Sequence, residues 1–268
     1  MTAELDAPYP LTSEQIGCYA EHGYIKLKQV LSPALIEQFR GIIGDHVAQR
    51  AVAAAPLVER STYGKAFLQI GNLWTESETI RTFVFGKRLA RIAAELIGAT
   101  GVRIYHDQAL YKEAGGGITP WHADQYYWPV SSDKIVTVWI PLQPTPRDMG
   151  PLCFSEKSHR FQLGRDLEIS DESELTLRQA LDRFRVENGG FDLGEVSFHA
   201  GWTFHRAGAN RSERPREVMT IIFMDEAMRL AEPANRNQVN DAKRWCPGIA
   251  PGEVIASPLN PVLYSTLP

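Results

Sequence analysis

The chain has 268 residues, of which 44% are hydrophobic and 22% charged, and its formal net charge is −4. That length can bury a substantial core in one domain. The mild, scattered charge excludes the electrostatic footprint of a nucleic-acid or anionic-membrane binder.

Residues 1–10 contain Glu4 and Asp6 and lack the apolar centre of a secretion leader. No apolar run approaches the roughly 20 residues that span a bilayer. Cys18, Cys153 and Cys246 are odd in number and far apart, so they are expected as reduced thiols. Together these features point to a cytoplasmic protein, monomeric or homodimeric, with neither a membrane nor a nucleic-acid partner.

Thr12 followed three residues later by Gln15 has the form of a capping box and opens a helix over residues 11–24. Residues 23–27 alternate as a short strand. Ser32 and Pro33 form a second helix start, behind which Leu35, Ile36, Phe39, Ile42, Ile43 and Val47 recur at helical spacing. Residues 87–97 place Leu89, Ile92, Ala93 and Leu96 on one helical face, and Gly98 ends the run.

The character changes after Gly101. Residues 102–112, 135–142, 195–198, 202–208 and 217–225 are rich in β-branched and aromatic side chains, separated by Gly- and Pro-rich turns. Strands without intervening helices imply an antiparallel sandwich or jelly roll. A charged segment over 165–186, with leucines at helical spacing, reads as an inserted helix, and whether 164–192 acts as a lid is left open by the sequence. The division expected is one domain over 1–268: mainly helical support to 100, a jelly-roll core over 101–225, and a surface wrap over 226–268.

Within that core lies Trp121-His122-Ala123-Asp124, and further on Trp202-Thr203-Phe204-His205. In a strand, residues i and i+2 share a face about 7 Å apart, so His122 and Asp124 can converge on one ion. A third donor must come from another strand, and His205 supplies it. Two imidazoles and a carboxylate bind non-haem Fe(II) on one face and leave the other open. Taken singly each has a plainer explanation, His122 as a turn residue and His205 as a hydrogen-bonded core histidine. A turn over 210–213 should fold 202–208 back on 216–225 as a hairpin, bringing Arg216 beside His205, where a guanidinium fork suits a small dicarboxylate. Tyr126, Tyr127, Trp128 and Phe204 cluster beside these residues and are the expected substrate contacts.

The pattern Lys112 … Trp121-His122-Ala123-Asp124 … Trp139-Ile140-Pro141-Leu142 … Gly150 … Ser158-His159 … Gly201-Trp202-Thr203-Phe204-His205 … Arg216 resembles the phytanoyl-CoA dioxygenase family across nearly the whole chain. The resemblance implies an all-β core with flanking helices, a cupin-like jelly roll (double-stranded β-helix) with the N-terminal helices packed on its major sheet. It implies Fe(II), 2-oxoglutarate and O2, with His122, Asp124 and His205 as the catalytic iron ligands. Arg216 would hold the far carboxylate of 2-oxoglutarate, and Gln108, Trp139 and Gln69 are further co-substrate contacts. The implied reaction oxidises an unactivated C–H of a small apolar or aromatic molecule, by hydroxylation, cyclisation, desaturation or epimerisation in secondary-metabolite tailoring, with succinate and CO2 as co-products. Asp124 argues against halogenation, since related halogenases carry a small residue there. Lys157 and Ala207 depart from the family pattern, which favours glycine and serine. A non-oxidative metal-dependent cupin isomerase and a non-catalytic binding module remain as alternatives.

Overall fold

The structure is a computed structural model that describes residues 3–51, 56–60 and 62–267. Its helices are α1 (Ala3–Asp6), α2 (Ser13–His22), α3 (Pro33–Ala51), α4 (Thr62–Ala66), α5 (Glu78–Val84), α6 (Lys87–Ile97), α7 (Asp171–Leu181) and α8 (Arg236–Trp245). The expected helix signals operate as local chemistry predicts. Thr12 Oγ1 accepts from Gln15 N at 3.2 Å and Gln15 Oε1 accepts from Thr12 N at 2.9 Å, closing the capping box of α2. Ser32 Oγ accepts from Leu35 N at 3.3 Å at the start of α3. Gly98 ends α6 at φ 62°, a left-handed conformation that glycine adopts without steric cost.

The strands are β1 (Tyr24–Leu27), β2 (Leu68–Gly71), β3 (Gly101–Tyr111), β4 (Thr119–His122), β5 (Ile135–Pro141), β6 (Leu152–Ser155), β7 (Val186–Glu187), β8 (Val196–Ala200), β9 (His205–Ala207), β10 (Val218–Asp225) and β11 (Val262–Ser265). They form a seven-stranded sheet in the order β1-β8-β5-β10-β3-β11, with β2 also pairing β3, and a four-stranded sheet in the order β4-β9-β6-β7. All pairings are antiparallel.

Alternation along the strands sorts the larger sheet into two faces. Val136, Val138 and Ile140 of β5, Val196 and Phe198 of β8, and Met219, Ile221 and Phe223 of β10 join the main hydrophobic core with Leu35, Ile36, Phe39 and Ile43 of α3 and Leu89, Ile92 and Ala93 of α6. The alternate residues, Thr137 and Trp139, His199, and Thr220, turn inward and line a cavity between the sheets. Both faces are therefore occupied, which is why β5 and β10 read as almost unbroken apolar runs.

Three expectations need correction. Residues 202–208 and 216–225 do not form a hairpin: β9 belongs to the smaller sheet and β10 to the larger, so the chain between them crosses from one layer to the other. Arg216 is instead fixed by a two-way backbone bridge to Lys112, with N–O distances of 2.8 and 2.9 Å. The inserted helix α7 packs on the outer face of the smaller sheet, where Leu177 and Leu181 meet Trp121 and Phe204, and only Glu168 and Ile169 of the 164–192 segment reach the cavity. The tail does more than wrap, because α8 lines the cavity and β11 pairs with β3.

Phe39 is 1% exposed, and its ring lies 4.9 Å from that of Phe83 across the α3–α5 contact. Phe39→Ala should lower unfolding free energy by about 3–5 kcal/mol while leaving the cavity side of the sheet unchanged, as measured by urea denaturation of the purified variant.

Candidate active site

His122 ends β4 and His205 begins β9, and the two are directly opposite in the strand pairing. Their ring centroids are 4.1 Å apart. Asp124 follows one extended residue, Ala123 (φ −121°, ψ 129°), and opens a single 3-10 turn, Asp124–Tyr126, so the i, i+2 relation survives although the strand itself stops at His122. Asp124 Oδ1 lies 3.6 Å from His122 Nε2 and 3.6 Å from His205 Nε2. One donor atom from each of the three residues falls within 4.8 Å of the others.

The far side of each ring fixes its tautomer. His122 Nδ1 is 2.8 Å from Pro120 O and His205 Nδ1 is 2.9 Å from Thr203 O. A carbonyl only accepts, so each Nδ1 carries the hydrogen and each Nε2 presents a lone pair to the common point. Burial pulls both imidazoles down to about 4, so both are neutral at pH 7. For Asp124, burial opposes ionisation, but the imidazole of His205 and then the hydrogen bond from His199 outweigh it, and the carboxyl is held well below its usual range. Two neutral nitrogens and one carboxylate oxygen facing one point are a donor set that fits a divalent first-row metal.

The sequence reading missed the support for Asp124. Its second oxygen, Oδ2, is 3.2 Å from His199 Nε2 and accepts from Thr137 Oγ1 at 3.0 Å. The Ser158 hydroxyl accepts from Phe204 N at 2.9 Å and donates to Ser155 O at 2.6 Å, anchoring the chain next to His205. Lys157, which stands in a glycine position of the pattern, has φ 64°. Its left-handed backbone explains the family's glycine, and here it is held by a bond from its N–H to His22 O at 2.8 Å and an ion pair to Glu21 at 2.7 Å.

Arg216 lines the same cavity at 2% exposure. Its Nη1 donates to Gly150 O at 2.6 Å, while its Nε has no hydrogen-bond partner. Trp139 lies beneath it, 5.4 Å from guanidinium carbon to ring centroid. Burial pulls the guanidinium down to about 9, still charged at neutral pH. Among the described residues no carboxylate comes within ion-pair distance of it. A buried cation with an unmet donor is costly unless an anion arrives, so this end of the cavity fits one carboxylate of a small diacid. Nearby, burial and then Arg216 pull Lys112 down to about 6, and its Nζ donates to Gly117 O, Thr119 Oγ1 and Gly208 O at 2.5, 3.3 and 3.0 Å.

Of the other expected contacts, Gln108, Gln69, Trp139, Tyr127 and Trp128 line the cavity. Gln69 Nε2 donates to Gln108 Oε1 at 2.5 Å. Phe204 does not reach it. Its neighbour His205 points inward, so strand alternation sends Phe204 outward, where it is fully buried against Trp121 and Leu177. Tyr126 stands behind the lining, its hydroxyl 3.5 Å from Nδ2 of the lining residue Asn237 and its carbonyl accepting from Gln238 Nε2 at 3.0 Å.

A wall absent from the sequence reading comes from α8. Asn237, Asn240, Asp241, Arg244 and Trp245 line the cavity, and the Trp245 ring stacks on His106 with centroids 4.4 Å apart. Burial pushes Asp241 up to about 7, and its carboxyl accepts from the Tyr105 hydroxyl. The cavity measures about 470 Å³.

Comparison with known proteins gives the same direction. A probable alpha-ketoglutarate-dependent hypophosphite dioxygenase of Stutzerimonas stutzeri is 22% identical over 226 residues, 79% of this chain and 78% of that protein. A 1-deoxypentalenic acid 11-beta-hydroxylase of Streptomyces arenae is 26% identical over 155 residues, 53% of this chain and 52% of the hydroxylase. In fold, the chain is similar to the non-haem alpha-ketoglutarate-dependent carbocyclase SnoK from nogalamycin biosynthesis (TM-score 0.78, 23% identity, 96% of this chain and 100% of that one). It is also similar to the epimerase SnoN in complex with Fe3+, alpha-ketoglutarate and nogalamycin RO (TM-score 0.72, 22% identity, 94% and 98%). These neighbours share the jelly-roll core. Residues 19–218 match the model of the phytanoyl-CoA dioxygenase (PhyH) family, and the chain belongs to that family of Fe(II)- and 2-oxoglutarate-dependent dioxygenases.

Proposed function

We propose that His122, Asp124 and His205 hold Fe(II), that Arg216 takes the far carboxylate of 2-oxoglutarate, and that the enzyme oxidises a C–H bond of a small ring-bearing metabolite. The observation that carries this reading is one cavity with three convergent donors at one place and a buried guanidinium lacking a counter-anion at another. When bound, iron and 2-oxoglutarate supply the oxidising power for O2 to attack an unactivated C–H, with succinate and CO2 released.

The chain supplies position and dryness. Trp139 and Leu152 wall the Arg216 end, and Gln108 with Gln69 offers a hydrogen-bonding pair between that end and the substrate side. The substrate side combines aromatic surface (Phe67, Tyr127, Trp128 and Trp245) with polar groups of α8. A ring scaffold carrying oxygen functions suits that mixture better than a purely apolar molecule, and the cavity is far larger than an inorganic anion needs. The similarity to a 1-deoxypentalenic acid 11-beta-hydroxylase and to folds from nogalamycin biosynthesis supports secondary-metabolite chemistry. Hydroxylation is the default reaction, and cyclisation or epimerisation would use the same ligands. Asp124 speaks against halogenation, and a non-oxidative cupin would leave Arg216 without a role.

Anaerobic addition of Fe(II) and 2-oxoglutarate should give a visible charge-transfer band, absent in His205→Ala. Arg216→Ala should weaken 2-oxoglutarate about 100-fold, roughly the 3 kcal/mol lost when one partner of a buried charged pair is removed. A wild-type protein with no band would sink the assignment. Substrate-dependent succinate release across a panel of oxygenated ring compounds would then identify the substrate class.

The depressed imidazoles also set a pH dependence. His122 and His205 fall from about 6.5 to about 4 on folding, so between those values the unfolded chain binds more protons. Stability of the metal-free protein should therefore be complete above pH 6.5 and fall as pH drops toward 4. Urea midpoints at pH 7 and pH 5 measure this, and His205→Asn should flatten the difference.

A further inference from the structure

His199 and Thr137 come from β8 and β5 of the larger sheet, whereas the residues they approach follow β4 of the smaller one. They are directly opposite each other in the β5–β8 pairing, so their side chains emerge side by side on the inward face. Both converge on Asp124 Oδ2, His199 Nε2 at 3.2 Å and Thr137 Oγ1 at 3.0 Å. Asp124 Oδ1 is the oxygen that lies 3.6 Å from both His122 Nε2 and His205 Nε2.

This division of labour between the two oxygens is more than packing. His199 is 1% exposed, and its other nitrogen, Nδ1, has no hydrogen-bond partner. A carboxylate only accepts, so the ring hydrogen sits on Nε2, and among the described residues Asp124 is the one hydrogen-bond partner of the buried imidazole, whose ring also lies 4.5 Å from that of His205. Its apolar neighbour Phe154 lies 5.4 Å away between ring centroids, a contact that a leucine or phenylalanine would satisfy as well. The imidazole is explained by the bond to Asp124 rather than by its shape.

We infer that His199 and Thr137 are positioning residues that occupy Asp124 Oδ2 and present Oδ1 alone to the metal, so that Asp124 serves as a one-oxygen ligand. This rests on the reading of His122, Asp124 and His205 as the iron ligands. Its functional content is the coordination count: a carboxylate free to turn could engage through both oxygens and occupy a position that 2-oxoglutarate or O2 requires. Outer-shell partners of this kind typically govern metal affinity by about 10- to 100-fold.

The test is anaerobic Fe(II) titration of the metal-free protein, together with the position of the Fe(II)–2-oxoglutarate charge-transfer band. His199→Leu should weaken Fe(II) by about 10-fold or more and move the band. His199→Gln, whose amide N–H can reach the same oxygen, should recover most of both. Thr137→Val keeps the side-chain shape without the hydroxyl and should show a smaller change in the same direction, with Thr137→Ser near wild type. Thr137→Val also carries the test if His199→Leu does not fold. Wild-type affinity and an unmoved band in a folded His199→Leu, or in Thr137→Val where the leucine variant fails, would overturn the inference while leaving the ligand assignment intact. Unchanged Fe(II) affinity in Asp124→Ala would overturn the ligand assignment and the inference together.

Discussion

The rest of the structure depends on one ionised carboxylate, Asp124, being kept charged in a buried place. Burial alone would neutralise it, and the surrounding imidazoles and hydrogen bonds reverse that tendency. Those partners come from both sheets: His122 and His205 from the smaller, His199 and Thr137 from the larger. The jelly roll matters here because it brings two antiparallel layers close enough to share one side chain while each keeps an apolar outer face. On the larger sheet that face is covered by α3 and α6, and on the smaller by α7.

A second constraint is charge at the other end of the cavity. Arg216 is buried without an ion-pair partner among the described residues, and the structure around it bears that cost in a specific way. Its backbone is tied to Lys112 in both directions. Asn210, 1% exposed, donates to Lys112 O, Glu113 O and Arg214 O at 3.1, 3.1 and 2.7 Å. A crossing between sheets that could have been a loose loop is thereby rigid, and the guanidinium is preorganised before any anion binds.

Much of this was legible in the sequence, for reasons that also explain the failures. The donor trio stood out because a period of two links His122 to Asp124 and a second β-rich run carries His205. The same period, applied one residue further, places Phe204 on the opposite face, so proximity in sequence was a poor guide to the substrate side. Arg216 lines the same cavity, but it arrives there by a crossing between the sheets rather than by the expected hairpin. The pairing of β9 with β4 and β6 depends on long-range register, which local pattern does not encode. His199 was invisible because a single histidine in Val196–Ala200 has no local partner, and its meaning appears only when β8 lies beside β5. Helix α8, Arg-Asn-Gln-Val-Asn-Asp-Ala-Lys-Arg-Trp, carries a narrow stripe of Val239, Ala242 and Trp245 among seven polar residues, a pattern easily passed over in a tail rich in proline and glycine.

That last helix has an evolutionary consequence. The family match ends at residue 218, whereas α8 spans Arg236–Trp245. On the proposed reading, the matched portion carries the metal and co-substrate machinery together with Phe67, Tyr127 and Trp128, whereas the α8 wall of the substrate side lies in sequence beyond the family match. Mutation could therefore redesign what the enzyme accepts while leaving how it oxidises untouched. The helix packs through Trp245 onto His106 and touches the proposed metal-binding segment through Tyr126, whose carbonyl accepts from Gln238 Nε2, so divergence of the substrate wall is constrained mainly at that contact.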